Sequence, residues 1–324
     1  MSTGTGALAD GVPQPSASRR ELPGPGALSR VVAVLLRVFV RPVITLFARF
    51  PDARWPFALA DRAAWLLPRP YGVRRHAISL PHCRAELLIP ARPTAGRAIL
   101  YLHGGGFIVC GLNTHRRLTA DIARAAGCPA LAVDYRQMPR HGLGEALDDA
   151  VAGFRALLDE GYSSSEIRIV GDSAGGYLAV ATALAVVRRG LGRPGGLVLM
   201  SPMTGIDPDL ALEPADDPLL TAPVVSVLSR KLAAKPAISA DLLPHRRLAA
   251  DDLSPLPPTL IQVGTREVLR AGAEELADAI AAAGGRCELQ VWAGQFHVFQ
   301  AGAVILAPAR KAIAEIGSFL VDPR

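Results

Sequence analysis

The chain has 324 residues, half of them hydrophobic and 20% charged, which excludes wholesale disorder and allows one large domain or two modest ones. Four cysteines (Cys83, Cys110, Cys128, Cys287) with no C-x-x-C pair exclude a disulfide scaffold and a zinc ribbon, so reduced thiols in a cytoplasmic setting are expected. The net charge of +6 sits at one end: residues 1–75 hold 11 Arg against 4 acids, while 76–324 hold 24 Lys+Arg against 25 acids, so the body offers no basic face for nucleic acid.

Residues 1–30 are small, polar and rich in Pro and Gly, without the cationic start and apolar run of a signal peptide, and read as a flexible tail. Gly4, Gly6 and Ala9 match a dinucleotide-binding spacing, but no strand precedes them, so the match is set aside as chance. Residues 31–50 are the membrane candidate. Arg37, Arg41 and Arg49 interrupt the apolar run and Pro42 kinks it, while Arg30, Arg37, Arg41, Thr45 and Arg49 share one helical face. That describes a basic amphipathic helix. The simplest arrangement packs its apolar face on the domain; peripheral contact with anionic lipid is an alternative, and a full span a further one.

From residue 76 the pattern turns regular. Short apolar runs at Ala98–Leu102, Ala130–Val133, Ile167–Val170, Leu197–Met200, Thr259–Val263 and Cys287–Val291 predict strands. Helices are predicted near 114–126, 144–160, 176–190, 271–283 and 303–321. Apolar strands alternating with helices predict a mostly parallel central sheet with helices on both faces. The stretch 205–250, rich in Pro and Asp, leaves the alternation and reads as an excursion from the sheet.

In such sheets chemistry collects beyond the carboxyl ends of the strands. After Ile167–Val170 come Gly171, Asp172, Ser173, Ala174, Gly175 and Gly176, a G-x-S-x-G turn between strand and helix. It holds a serine hydroxyl clear of the sheet at a helix N-terminus, where a developing anion is favoured. After Ala98–Leu102 come His103, Gly104, Gly105, Gly106 and Phe107. Consecutive glycines let backbone N–H groups face a cavity unobstructed, as an oxyanion site requires.

A serine needs a base. Among seven histidines, His76, His82 and His245 fall in loop or cap segments, His115 in a helix, His141 after a Pro-Arg turn, and His103 in the glycine loop, which it supports together with Gly104. His297 alone lies beyond Ser173 and directly after a sheet strand. The orienting acid should follow Thr259–Val263, which favours Glu267. Glu274, Glu275 and Asp278 fall inside the next helix, and Asp251 and Asp252 precede the strand.

These motifs, with Asp134-Tyr135-Arg136, Ser201-Pro202, Asp217 to Thr221 and Leu256 to Gly264, resemble the hormone-sensitive-lipase family of α/β-hydrolases, the bacterial family IV carboxylesterases. The resemblance runs from about residue 95 to 320. It implies an α/β-hydrolase fold with an N-terminal helical cap over 31–75, a second cap part at 205–250, and a catalytic domain over 76–324. It implies Ser173 as nucleophile, His297 as base, Glu267 as acid, and the amides of Gly105, Gly106 and Ala174 as oxyanion donors. Glu267 stands where most relatives carry Asp, and Cys110 where a small residue is usual, either narrowing the acyl pocket or exposing the enzyme to thiol reagents. Phe107, Cys110, Tyr177 and Val298 are further pocket candidates, and Trp55, Phe57, Trp65 and the apolar face of 31–50 are expected to line the acyl side. The expected reaction is hydrolysis of short- to medium-chain acyl esters, with no metal or organic cofactor. A membrane-surface lipase, an acyltransferase and a non-catalytic receptor are the alternatives. The partner is a small acyl ester or lipid, and the family suggests a homodimer.

Overall fold

A computed structural model describes residues 17–66, 70–94, 96–207, 212, 215–235 and 246–323. Among these, the strands are β1 (Ser18–Leu22), β2 (Val73–Ser79), β3 (Arg84–Pro90), β4 (Ala98–Leu102), β5 (Ala130–Asp134), β6 (Ile167–Asp172), β7 (Gly196–Met200), β8 (Thr259–Gly264) and β9 (Cys287–Trp292). The helices are α1 (Ala27–Leu35), α2 (Arg41–Arg49), α3 (Phe57–Ala64), α4 (Leu112–Ala126), α5 (Leu143–Asp159), α6 (Ala174–Arg188), α7 (Ala222–Ala233), α8 (Arg270–Ala282) and α9 (Ala307–Val321).

All the strands join one sheet in the order β1-β9-β8-β7-β6-β4-β5-β3-β2. Neighbours run parallel except at β2–β3 and β3–β5. Alternation along the strands feeds two cores. Ile99, Tyr101, Val170 and Val198 face α4 and α9 through Leu118, Ile122 and Ile316. Leu100, Ile169, Leu199 and Ile261 face α5, α6 and α8 through Phe154, Leu178 and Ile280. Each large apolar side chain so buried contributes roughly 1.5–3 kcal/mol before conformational entropy is subtracted. The chain order reverses at β4, which lies between β5 and β6, and the crevice beyond its carboxyl end is where such folds place a site.

The strands and helices expected from residue 98 onward are all present, with the last helix beginning at Ala307. The amino-terminal third differs from expectation. The expected tail over 1–30 contains β1, which pairs with β9, and the start of α1. Residues 1–16, with the Gly4–Ala9 spacing, lie outside the described residues, as do 236–245 with His245. The expected boundary at 76 falls inside β2, so His76 is a strand residue rather than a loop residue. Because β1 pairs with β9, the sheet's outer strands are β1 and β2.

The segment Ala27–Arg49 is one helix with a π-helical turn at Leu36–Val40 inserted before Pro42. The expectation that its apolar face packs inward holds only in part. Ala33 and Phe47 are buried, but Val31, Val34, Val38, Phe39, Val43 and Leu46 are exposed. Meanwhile Arg37 turns toward the body, pairing with the Asp216 carboxylate, and Arg41 donates to the Asp217 carbonyl. An exposed carboxylate, Asp216, and the main-chain carbonyl of Asp217 in the 205–250 excursion thus partner the arginine side, and the apolar side stays out.

Helix α4 begins at Gly111, whose N–H donates to Thr114 Oγ1 (2.9 Å). The Asp61 carboxylate of α3 accepts from Thr114 N–H at 2.9 Å and Asn113 Nδ2 at 2.8 Å, tying the amino-terminal segment to the helix behind the glycine loop. The α4–α9 contact is close: a Cβ on Gly317 would meet the Ala125 backbone at 2.7 Å. Gly317→Val should therefore lower unfolding stability by about 2–3 kcal/mol in a urea titration. An unchanged midpoint would show that the two helices can separate freely.

Candidate active site

Five loops beyond the carboxyl ends of β4, β6, β7, β8 and β9 meet at one place. The elbow after β6 puts Ser173 at φ 51°, a left-handed conformation that L-residues adopt only under constraint. The constraint is packing: a Cβ on Gly171 would overlap the Gly175 carbonyl, and one on Gly175 the Leu102 carbonyl. Ser173 remains partly accessible, while nearly all of α6 behind it is buried.

Ser173 Oγ lies 2.9 Å from His297 Nε2. His297 Nδ1 lies 3.1 Å from Glu267 Oε2. Glu267 Oε1 accepts from Ser201 Oγ at 2.9 Å and from Gly264 N–H at 2.6 Å. Ser201 Oγ in turn accepts from Val298 N–H at 3.0 Å. The sequence thus brings Ser173, Glu267 and His297 into one hydrogen-bonded chain, and the competing carboxylates do not enter it. Burial works against the charged His297 imidazolium, but the Glu267 hydrogen bond and charge outweigh it and raise the imidazole above its ordinary 6.5. For Glu267 burial prevails over the attraction of His297, and the carboxyl titrates above its usual range.

The glycine loop is fastened to the elbow by Asp172. This fully buried carboxylate accepts from Tyr101 Oη at 2.7 Å and from Gly104 N–H at 3.1 Å, and its other oxygen lies 3.3 Å from His115 Nε2. Burial disfavours the Asp172 charge, yet His115 and the hydrogen bonds hold its pKa below the usual range. Among the described residues no acceptor takes the N–H of Gly105 or Gly106. Ala174 is the first residue of α6, where an N–H has no partner within its own helix. His103 is buried, donates through Nδ1 to the Gly104 carbonyl (2.7 Å) and stacks on Tyr135 at 4.3 Å. Burial first, and the neighbouring His115 second, lower its pKa to about 4, so it stays neutral.

Of the pocket candidates, Phe107 and Tyr177 are fully buried and meet edge to face at 6.3 Å, and Val298 is half-buried beside Ser201. Cys110 is partly buried beside the glycine loop. Trp55 and Phe57 cluster with Phe47 at 5.9 and 5.6 Å, while Trp65 is 61% exposed and Val31, Val34, Val38, Phe39 and Val43 on the outward face of 31–50 are exposed as well. The side chain over Gly106 is instead Leu228 of α7. Sequence reasoning did not assign roles to Asp172, Ser201 or His115. Position gave a signal for the first two, since each sits at the carboxyl end of a strand; nothing in the spacing marks His115.

The sequence pattern of the alpha/beta hydrolase fold family matches residues 99–301. Esterase LipU of Mycobacterium tuberculosis is 38% identical over 299 residues, covering 87% of this chain and 98% of its own. Carboxylesterase/phospholipase LipF of the same organism is 34% identical over 319 residues, covering 92% and 83%. Among solved structures, EstE5 superposes with a TM-score of 0.79 at 28% identity, over 92% of this chain and 99% of its own. An esterase from the bacterial hormone-sensitive lipase family gives 0.77 at 30%, over 93% and 99%. Fold and relatives together define a carboxylic ester hydrolase of the alpha/beta hydrolase fold. Within that class the chain belongs to the hormone-sensitive-lipase family.

Two outcomes follow from the geometry. Ser201→Ala removes a donor to Glu267 and an acceptor for Val298, and should cut kcat about tenfold with the fold intact, because each orphaned buried group costs about 1–3 kcal/mol; an unchanged kcat would detach Ser201 from the site. Burial, reinforced by the Asp172 charge, pushes the Cys110 thiol up to about 12, so ester turnover at neutral pH should survive N-ethylmaleimide. Rapid inactivation relieved by Cys110→Ala would refute this.

Proposed function

We propose that the chain hydrolyses short- to medium-chain acyl esters through a Ser-His-Glu triad and an acyl-enzyme. The observation that carries this reading is the continuous relay from Ser173 Oγ through His297 to Glu267, at 2.9 and 3.1 Å. In this mechanism Ser173 Oγ attacks the ester carbonyl while His297 Nε2 takes its proton. The oxyanion is received by the N–H groups of Gly105, Gly106 and Ala174, where one donor is worth roughly 3 kcal/mol. The carbonyl re-forms, the alcohol leaves with the proton held on His297, and Ser173 remains acylated. Water, deprotonated by His297, then attacks the acyl carbon, and the acid departs as Ser173 regains its proton.

The relatives' names span acetyl-hydrolase to phospholipase. A bounded acyl side favours the shorter range here: Leu228 stands over Gly106, and α7 carries it in contact with α2. On this reading 31–75 and 205–250 act together as the cap.

Ser173→Ala should lower turnover of p-nitrophenyl butyrate by on the order of 10⁴ or more and abolish labelling by a fluorophosphonate. Labelling that persists in this variant would place the nucleophile elsewhere. Leu228→Ala should move the preference in a p-nitrophenyl ester series from acetate to palmitate toward longer chains.

The base must be neutral to act. Because Glu267 raises the His297 pKa, the unprotonated form is lost at a higher pH than for a free imidazole. The acid limb of kcat/KM should therefore lie above about 6.5 and move down in Glu267→Gln. A limb below that value in the unaltered enzyme would contradict the assignment.

A further inference from the structure

The helix Ala27–Arg49 is long and apolar enough to cross a membrane, yet only 11% of its most apolar window is buried. The π-helical turn at Leu36–Val40 decides what its outer side presents. Without that extra residue, the stripe through Val31, Val34 and Val38 would continue at α-helical spacing into Pro42, Thr45 and Arg49. With it, the stripe passes to Phe39, Val43 and Leu46, and Phe39 is 68% exposed. The turn thus keeps one uninterrupted apolar ridge facing outward.

We propose that this ridge is a docking surface for an anionic lipid bilayer. The apolar side chains would enter the headgroup–acyl boundary and the flanking arginines would meet lipid phosphate. Charge supports that occupant. Residues 17–66 carry eight arginines against three acids, while the rest of the chain beyond residue 75 is nearly balanced. Beside the ridge runs an open groove of about 520 Å³ lined by Arg37, Arg41, Pro42, Thr45, Leu46 and Arg49. Arg37 shares Asp216 with Arg266, and Arg41 donates to a carbonyl, which leaves the groove cationic on balance. Arg30 and Arg49 are exposed.

The helix lies along the surface and does not cross it. The strand before it, β1, is paired with β9, and the helix after it, α3, packs on α4, so both ends are fastened to the same body. A spanning helix would need its ends about 30 Å apart on opposite sides of the bilayer. The surface adjoins the site: α2 packs on α7, whose Leu228 stands over Gly106. The docking does not depend on the chemistry at Ser173.

The test is co-sedimentation of the full chain with phosphatidylcholine vesicles, with and without phosphatidylglycerol, alongside p-nitrophenyl butyrate turnover in vesicle-free buffer. The unaltered protein should pellet, and more strongly with phosphatidylglycerol. The double variant Phe39→Asp, Val43→Asp should partition at least about tenfold less. The double variant Arg30→Gln, Arg49→Gln should lose about tenfold of the phosphatidylglycerol preference. Both should keep the far-UV dichroism and the melting temperature of the parent. The proposal is overturned if the parent stays in the supernatant with both vesicles, or if the Asp variant pellets like the parent. It is also overturned if sedimentation velocity reveals a dimer that the Asp variant dissolves while vesicles capture neither form. Turnover lost from the parent itself would count against the ester hydrolase reading and leave the docking result standing.

Discussion

The Asp172 carboxylate holds the glycine loop and the Ser173 turn in one register. Burying a carboxylate costs several kcal/mol unless donors replace the lost water. Here the donors are Tyr101 on β4, the Gly104 amide just beyond it, and His115 on α4. The carboxylate ends β6, so it stitches two neighbouring parallel strands at the point where the chain order reverses. Gly104 allows the approach, since a Cβ there would overlap Asp172 itself. Gly104 N–H is committed to Asp172, while among the described residues no acceptor takes the next two amides. Tyr135 completes the fixture, donating to the His103 carbonyl at 2.6 Å while its ring supports the imidazole.

Much of this was legible from residue 98 onward, because buried parallel strands write themselves as unbroken apolar runs and the site residues follow those strands directly. The Ser173, Glu267 and His297 positions were readable for the same reason: once the strand order is parallel, the residue after each strand lands on one edge. The amino-terminal strands were not legible. β1 (SRREL) and β2 (VRRHAIS) lie at the sheet's edges with mostly exposed side chains, so neither carries an apolar period, and β1 is recruited by β9 from the far end of the chain. The roles of Asp172 and His115 depend on a side-chain pairing across 57 positions of sequence that no local pattern encodes. The facing of the Ala27–Arg49 helix failed for a related reason. Amphipathic spacing reports two faces, but which one turns inward was decided by Asp216 and Asp217, far away in the chain.

Those two acids also join the surface helix to the site. Asp216 accepts from both Arg37 and Arg266, the residue before Glu267. The buried Asp217 accepts from Leu219 and Leu220 N–H through one oxygen and from Val268 N–H through the other. The loop carrying the acid of the relay is therefore flanked on both sides by contacts to the 205–250 excursion. A displacement of the amino-terminal helix would act on this loop through Asp216 rather than through the sheet, which is buried and closely packed.

Backbone conformation shows where the fold spends stability on the site. The non-glycine residues at positive φ among those described are Phe107, Cys110, Ser173, Ser201 and Val298. Every one lies in a loop beyond the carboxyl end of β4, β6, β7 or β9, and each such residue costs about 1–3 kcal/mol where nothing compensates. The compensation is visible in the hydrogen bonds. Ser201 fixes both Glu267 and Val298, so a glutamate, with one more rotatable bond than aspartate, is held at both oxygens rather than left to swing. The residue after the imidazole is pinned by the same hydroxyl. A longer acid is tolerable here because its extra freedom is removed by Ser201 and the Gly264 amide before the imidazole is reached.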